Sequence, residues 1–186
     1  MLDWLIIGGG VHGTHLSHVL PTHLEWPRDR VRVLDPHDTP LARWDQMTEN
    51  VGMDVMRSSI VHHLDVQPHA LKQFARTPEG KPLARFAFPY QRPSYAFFQQ
   101  HTRCVVQQHQ LGALRLQGRA SGLRQARRGW IVETQQGALE ARRVLLALGM
   151  SEQLNWPDWA YALRSADCPV HHLYEEGFHR DQLPPW

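Results

Sequence analysis

An α/β fold, with a parallel sheet and an antiparallel β-meander, is predicted by three stretches of this sequence. The first is the apolar run Leu2–Ile7, which collapses into Gly8-Gly9-Gly10 and continues in helical texture to Leu20-Pro21. The second is Val31-Arg32-Val33-Leu34, a short strand closed by Asp35. The third is a series of short extended segments from Ala113 onward, followed by the apolar run Val144-Leu145-Leu146-Ala147-Leu148 and Gly149.

The first stretch carries the chemistry. Gly8, Gly10 and Gly13 have the G-x-G-x-x-G spacing that binds a dinucleotide pyrophosphate. The first glycine permits the strand-to-helix turn, the second lets backbone approach phosphate, and the third lets the helix pack on its strand. The amides at the helix start, those of Val11 and His12 among them, face the anion with the helix dipole behind them. Leu16, Val19 and Leu20 give that helix one apolar side. Asp35 lies 22 residues past Gly13, close to the place of the acid that holds a ribose. The expectation is a Rossmann-like dinucleotide domain.

The remaining elements follow in order. A short helix is expected through residues 41–44, then a small, polar, glycine-containing loop over residues 48–59, suited to wrapping a ligand. A compact helix begins at Gln67-Pro68, with Leu71 and Phe74 inward. Residues 76–82 read as a surface loop. A longer helix runs from about Pro93 to Gln110, its Tyr95, Phe98 and Val105 forming a core stripe. Residues 114–116, 120–125, 130–134 and 139–141 are strand candidates, with turns at Arg127-Arg128-Gly129 and Gln135-Gln136-Gly137. After Arg142-Arg143, the run 144–148 reads as a strand buried on both faces, and Gly149 as a close approach to ligand.

Length and composition set the outer limits. The 186 residues suit one domain, 1–186, with a substantial core. A net charge of +2 is too small to argue for nucleic acid, and the arginines between Arg115 and Arg143 read as a solvated face. Cys104 and Cys168 have no metal or redox spacing. No apolar stretch is long enough to span a membrane, no basic leader precedes the first strand, and a cytoplasmic location is expected. The 13 histidines, including His12, His15 and His18, His62-His63 and His171-His172, supply no recognised metal set and read as surface or packing residues.

A glycine-motif unit whose crossover is a meander resembles the FAD domain of the glutathione-reductase-like flavoproteins. Asp35 favours FAD further, since a carboxylate repels a 2′-phosphate. More narrowly, the sequence resembles the flavin-dependent N-hydroxylating monooxygenases of the lysine and ornithine type and their FAD/NAD(P)-binding relatives. The matching stretches are residues 6–13, 56–65, Arg92-Pro93-Ser94-Tyr95 and 145–149. The resemblance implies an NADPH-reduced FAD and oxygen transfer to a small-molecule amine. It places the pyrophosphate at Gly8, Gly10 and Gly13 and the ribose at Asp35. It also places Met56, Arg57 and Ser58 near the isoalloxazine and Gly149 at a closing turn. Leu148 stands where those enzymes have a hydroxyl, and no residue stands out as a catalytic base. Family members are about twice as long, and residues 150–186 supply neither a second glycine motif for NADPH nor the returning flavin segment. The reading is therefore an N-terminal FAD-binding part, with a missing half or self-association as its partner. The alternatives are a non-catalytic nucleotide-binding or interaction module and an NAD-dependent dehydrogenase.

Overall fold

The computed structural model describes residues 1–149 and 154–183. The parts of the chain end noted above at residues 150–153 and 184–186 lie outside them. The strands are β1 (Leu2–Ile7), β2 (Val31–Asp35), β3 (Phe86–Ala87), β4 (Arg92–Pro93), β5 (Arg115–Gln117), β6 (Ala120–Ala126), β7 (Gly129–Thr134) and β8 (Gly137–Leu146). The helices are α1 (Val11–Thr22), α2 (Ala42–Val51), α3 (Ala70–Phe74), α4 (Tyr95–Gln108) and α5 (Asp158–Ser165). Strands β3 and β4 pair as a small antiparallel hairpin.

The main sheet has the order β5-β2-β1-β8-β7-β6. Strands β5, β2, β1 and β8 run parallel, with Ile7 beside both Leu34 and Leu146 and Leu34 beside Leu116. Strands β8, β7 and β6 are the antiparallel meander. The fold is Rossmann-like, as expected, with one correction at β8. Residues 139–141 and 144–148 do not form two strands separated by Arg142-Arg143. Residues 139–146 belong to one strand, in which Ala141 pairs with Trp130 of the meander on one edge and Leu2 of the parallel sheet on the other, and residues 147–148 lie past its end. Nor is the end of that run buried on both faces, since Leu146 and Leu148 are each about 60% exposed (61% and 60%).

Each face of the parallel sheet has its own cover. Ile6, Val31 and Val33 pack with Leu20 and Leu16 of α1 and with Trp26. On the other face Leu5, Ile7 and Leu34 join Val132 and Ala141, so the meander curls over the sheet it extends. Helix α1 ends at Thr22, close to the expected end at Leu20-Pro21, and includes Pro21. Proline has a helical φ, but at this place it removes one i→i−4 bond and crowds the carbonyl of Ser17, and the helix ends one residue later.

The chain between β2 and β5 forms a helical layer with a separate core of Met56, Ile60, Leu71, Phe74, Phe97 and Phe98. Trp44 of α2 packs on it through Tyr95 and Phe98. Helix α2 extends the expected short helix into the loop predicted over residues 48–59. Thr48 is held inside it by a bond from its hydroxyl to Trp44 O (2.7 Å), and Gly52 ends it in the left-handed region. Ser94 caps α4 by accepting from Phe97 N at 3.3 Å.

The C-terminal segment lies along α2 and is tied there by Asn50. Its amide donates to Phe178 O (2.8 Å) and Leu173 O (3.1 Å), and its carbonyl accepts from Arg180 N at 3.2 Å. Asn50→Ala removes all three bonds at a buried position. The expected loss is about 2 kcal/mol, with faster proteolytic cleavage after His171 in a limited-digestion time course; an unchanged cleavage rate would show that the segment is held by other contacts.

His101 is buried between His63 and Phe74. Burial, then the neighbouring His63, pushes its imidazole down to about 4 against the opposing pull of Asp65. The unfolded chain takes up that proton near pH 6.5, so between there and about 4 it binds more protons than the folded chain. Stability is therefore expected to fall as the pH is lowered through that window, by on the order of 3 kcal/mol from this residue. Urea midpoints measured from pH 7.5 down to 4.5 should show the decline, and a flatter profile in His101→Gln.

Candidate functional site

The strand order places a reversal at β1, where the chain goes to β2 and β5 on one side and to β8 on the other. In such sheets ligands bind outside the carboxyl ends of the strands at that reversal. A groove lies there. On the α1 side it holds about 290 Å³ and is lined by Gly8, Gly10, Val11, His12, Asp35, Trp44, Gly149 and Tyr174, among others. On the meander side it holds about 750 Å³, between Ile7, Leu34 and Pro36 and the chain from Gly118 to Leu123. Gly8, Asp35, Leu148 and Gly149 line both. The exposed Leu146 and Leu148 are walls of this groove, which is why the end of the apolar run is not covered by protein.

The three glycines of the motif differ in what they do. Gly8 has φ +107°, and a side chain there would strike the carbonyl of Ala147. Gly13 packs so closely on the carbonyl of Gly8 that a methyl group has no space, which fixes α1 against β1. Gly10 has an ordinary φ of −70° and nothing within 4 Å of where a Cβ would stand. Its side-chain direction opens into the groove. No side chain caps α1 and no acidic residue sits in its first turn, so the N–H groups of Val11 and His12 are left without intrahelical partners at the groove. The helix dipole adds positive potential there, and the arrangement suits an anion.

Asp35 is buried at the centre of the strand ends. Its Oδ2 accepts from Gly9 N at 2.5 Å, and Oδ1 accepts from His37 N (2.9 Å) and Arg115 Nη2 (3.1 Å). Arg115 also donates to the carbonyl of His37. Its guanidinium is buried to the same degree as the carboxylate, with side-chain exposures of 7% and 12%. A carboxylate has about four lone-pair positions, so one remains for a ligand hydroxyl.

Of the residues singled out from sequence, Gly8, Gly10, Val11, His12, Asp35 and Gly149 line the groove, and Gly13 packs beneath it. Met56, Arg57 and Ser58 are not among its lining residues. Met56 is buried in the core of the helical layer, while Arg57 and Ser58 are exposed. The segment carrying them does meet the other specific match: Met56 N donates to Pro93 O (2.9 Å), Tyr95 N to Asp54 O (2.8 Å), and Val55 bridges Ser94. These two matches build the helical layer. Sequence reasoning missed Arg115, His37, Arg43 and Tyr174. Arg115 stood in a run of arginines that read as solvated, and only the β2–β5 pairing, with Arg115 beside Val33, reveals its neighbour. Arg43 reaches the groove by donating to the carbonyl of Tyr174.

A family model described as FAD-NAD(P)-binding matches residues 5–151. No curated protein matches the chain. Solved structures of similar fold include a variant of cyclohexanone monooxygenase from Rhodococcus sp. Phi1 bound to NADP+, with TM-score 0.56 and 18% identity over 84% of this chain and 28% of that one. OTEMO in complex with FAD and NADP has TM-score 0.52 and 17% identity over 84% and 27%. A flavin-containing monooxygenase from Stenotrophomonas maltophilia has TM-score 0.50 and 18% identity over 84% and 41%. At such identities the likeness is one of fold, and the chain spans less than half of each of these proteins.

The Asp35–Arg115 pair offers a direct test of how the strand ends are held. Arg115→Ala leaves a buried carboxylate with only backbone partners and is expected to cost about 3 kcal/mol of stability. In a double-mutant cycle with Asp35→Asn, measured by urea unfolding, the two losses should fall well short of adding; full additivity would mean that the pair contributes nothing as a pair.

Proposed function

Because the chain belongs to the FAD-NAD(P)-binding family, we propose that it is the FAD-binding part of a flavin-dependent monooxygenase, of the lysine and ornithine N-hydroxylating type, acting on an amine with NADPH as reductant. The observation that carries the reading is the groove at the sheet reversal, where the uncapped start of α1, the open side of Gly10 and the Asp35 carboxylate meet. The donors fit the group: backbone N–H groups for a pyrophosphate and an acid with one lone-pair position to spare for a ribose hydroxyl.

In this reading Gly10, Val11 and His12 bind the phosphates through backbone, and Gly8 and Gly13 hold those amides in place. Asp35 orients the sugar, and Leu123, Leu146 and Leu148 offer an apolar wall that excludes water on the meander side. Bound FAD would supply the hydride-accepting and oxygen-transferring chemistry, and the protein's share is binding, orientation and water exclusion. The meander favours FAD over an NAD-dependent dehydrogenase built on the same glycines, since β6 to β8 replace the further strand–helix crossovers that such a domain uses. In this reading the NADPH site and the amine pocket are supplied from outside these residues, by more of the same polypeptide or by a partner. The domain is proposed to be a single unit over residues 1–186.

Titration of the purified protein with FAD, NADH and NADP+, followed by flavin fluorescence and calorimetry, tests the cofactor. FAD is expected to bind the tightest, and tighter NADH binding would favour the dehydrogenase. Gly10→Val projects into the groove from a position where nothing lies within 4 Å of the Cβ, so it is expected to weaken FAD at least tenfold, about 1.4 kcal/mol, while leaving the thermal midpoint nearly unchanged. Equal FAD affinity in Gly10→Val would sink the pyrophosphate assignment.

A further inference from the structure

Away from the groove, α1 carries a second concentration of chemistry. His15 and His18 lie one turn apart on the face turned to the helical layer. His15 Nδ1 bonds the carbonyl of Leu64 at 2.8 Å. His18 is 1% exposed, its Nδ1 lies 3.2 Å from Thr22 Oγ1, and its Nε2 has no hydrogen-bond partner. Facing that nitrogen is Asp65, whose Oδ1 stands 3.6 Å away and accepts from Gln67 N at 2.9 Å. His109, immediately after α4, lays its ring over His18 with centroids 4.1 Å apart and planes tilted by 37°.

We propose that His18, Asp65 and His109 form a binding site for a divalent transition cation, zinc above all. Their ligand atoms lie within 4.8 Å of one another. Ligands on a tetrahedral zinc with bonds of 2.0–2.1 Å are about 3.4 Å apart. The His18–Asp65 separation of 3.6 Å is already near that value, and closure on the metal needs an inward shift of about 1 Å by the rest. His109 can supply it, being half-buried at a helix end.

The donor chemistry agrees with the geometry. In the tautomer that donates Nδ1–H to Thr22 Oγ1, His18 presents its Nε2 lone pair toward Asp65, the second-sphere arrangement that orients a metal-bound imidazole. A buried nitrogen with no partner calls for an explanation. A hydrogen bond to Asp65 does not supply one, because 3.6 Å is too long. Two imidazoles and one carboxylate suit zinc, with a fourth position left for water. The histidine spacing in the sequence gave no such set, because the three ligands come from α1, the chain before α3 and the end of α4. A bound ion would tie those three segments together.

The test uses metal-free protein titrated with zinc chloride by calorimetry and with cobalt(II) by visible absorption. Wild type is expected to bind one equivalent of zinc, to gain the intense d–d bands of a tetrahedral cobalt site, and to melt at a higher temperature when zinc is saturating. Asp65→Asn and His109→Gln, each checked by circular dichroism without metal, are expected to bind at least tenfold more weakly, and His172→Gln to bind as wild type does. Stoichiometric binding that survives in Asp65→Asn and His109→Gln would assign the metal to surface histidines and overturn the proposal. So would the lack of tetrahedral cobalt bands in wild type, whatever the variants do.

Discussion

The fold depends on one buried carboxylate. Asp35 draws together the backbone just past β1, through Gly9, and the backbone just past β2, through His37, and it neutralises Arg115 at the start of β5. Three strand ends that would otherwise splay are held at one point. Burying an acid this deeply is unfavourable unless its charge is paired and its lone pairs are satisfied, and here a guanidinium and two backbone amides do both. The groove inherits its rigidity from this arrangement. A ligand that adds one hydroxyl to Asp35 completes a coordination that is already organised, so little ordering is left to oppose binding.

The sequence was legible where structure is local. Strand β1, the glycines, α1 and β2 are set by short-range pattern, and Gly8, Gly10, Gly13 and Asp35 were found by spacing alone. Strand β8 was not. Arg142-Arg143 in mid-strand look like a break because nothing nearby in sequence accounts for them. In three dimensions Arg142 pairs with Asp3 at 3.3 Å, and Arg143 lies over the rings of Trp4 and Trp26 at 5.2 and 5.0 Å. All three partners lie more than a hundred residues away along the chain, so the charges read as solvated. The same blindness hid Arg115, whose partner Asp35 had been recognised on its own. It hid the length of α2 as well, since Asn50 is explained only by the carbonyls of Leu173 and Phe178.

The two segments that carry the resemblance to the N-hydroxylating monooxygenases are partners in space. The chain around Met56 and the chain around Ser94 pair backbone to backbone and send Met56, Ile60 and Phe97 into one core. Their pattern is thus accounted for by packing: Ser94 is a helix cap and Met56 is core. What they preserve is the position of the helical layer relative to the sheet. That layer brings α2 to the groove, with Trp44 and Arg43, and Arg43 in turn holds the chain at Tyr174.

Helix α1 reaches both proposed sites from its two ends. Its first turn presents amides to the groove, and His18, seven residues on and so about 10 Å along the axis, faces Asp65 and His109. Coupling between the two would require the helix to slide or rotate. It cannot do either freely, because Gly13 is in van der Waals contact with the carbonyl of Gly8 and the two share a turn with no slack. An ion at the histidine cluster would therefore act on how firmly the helical layer is docked, and leave the aim of the phosphate-facing amides where Gly13 sets it.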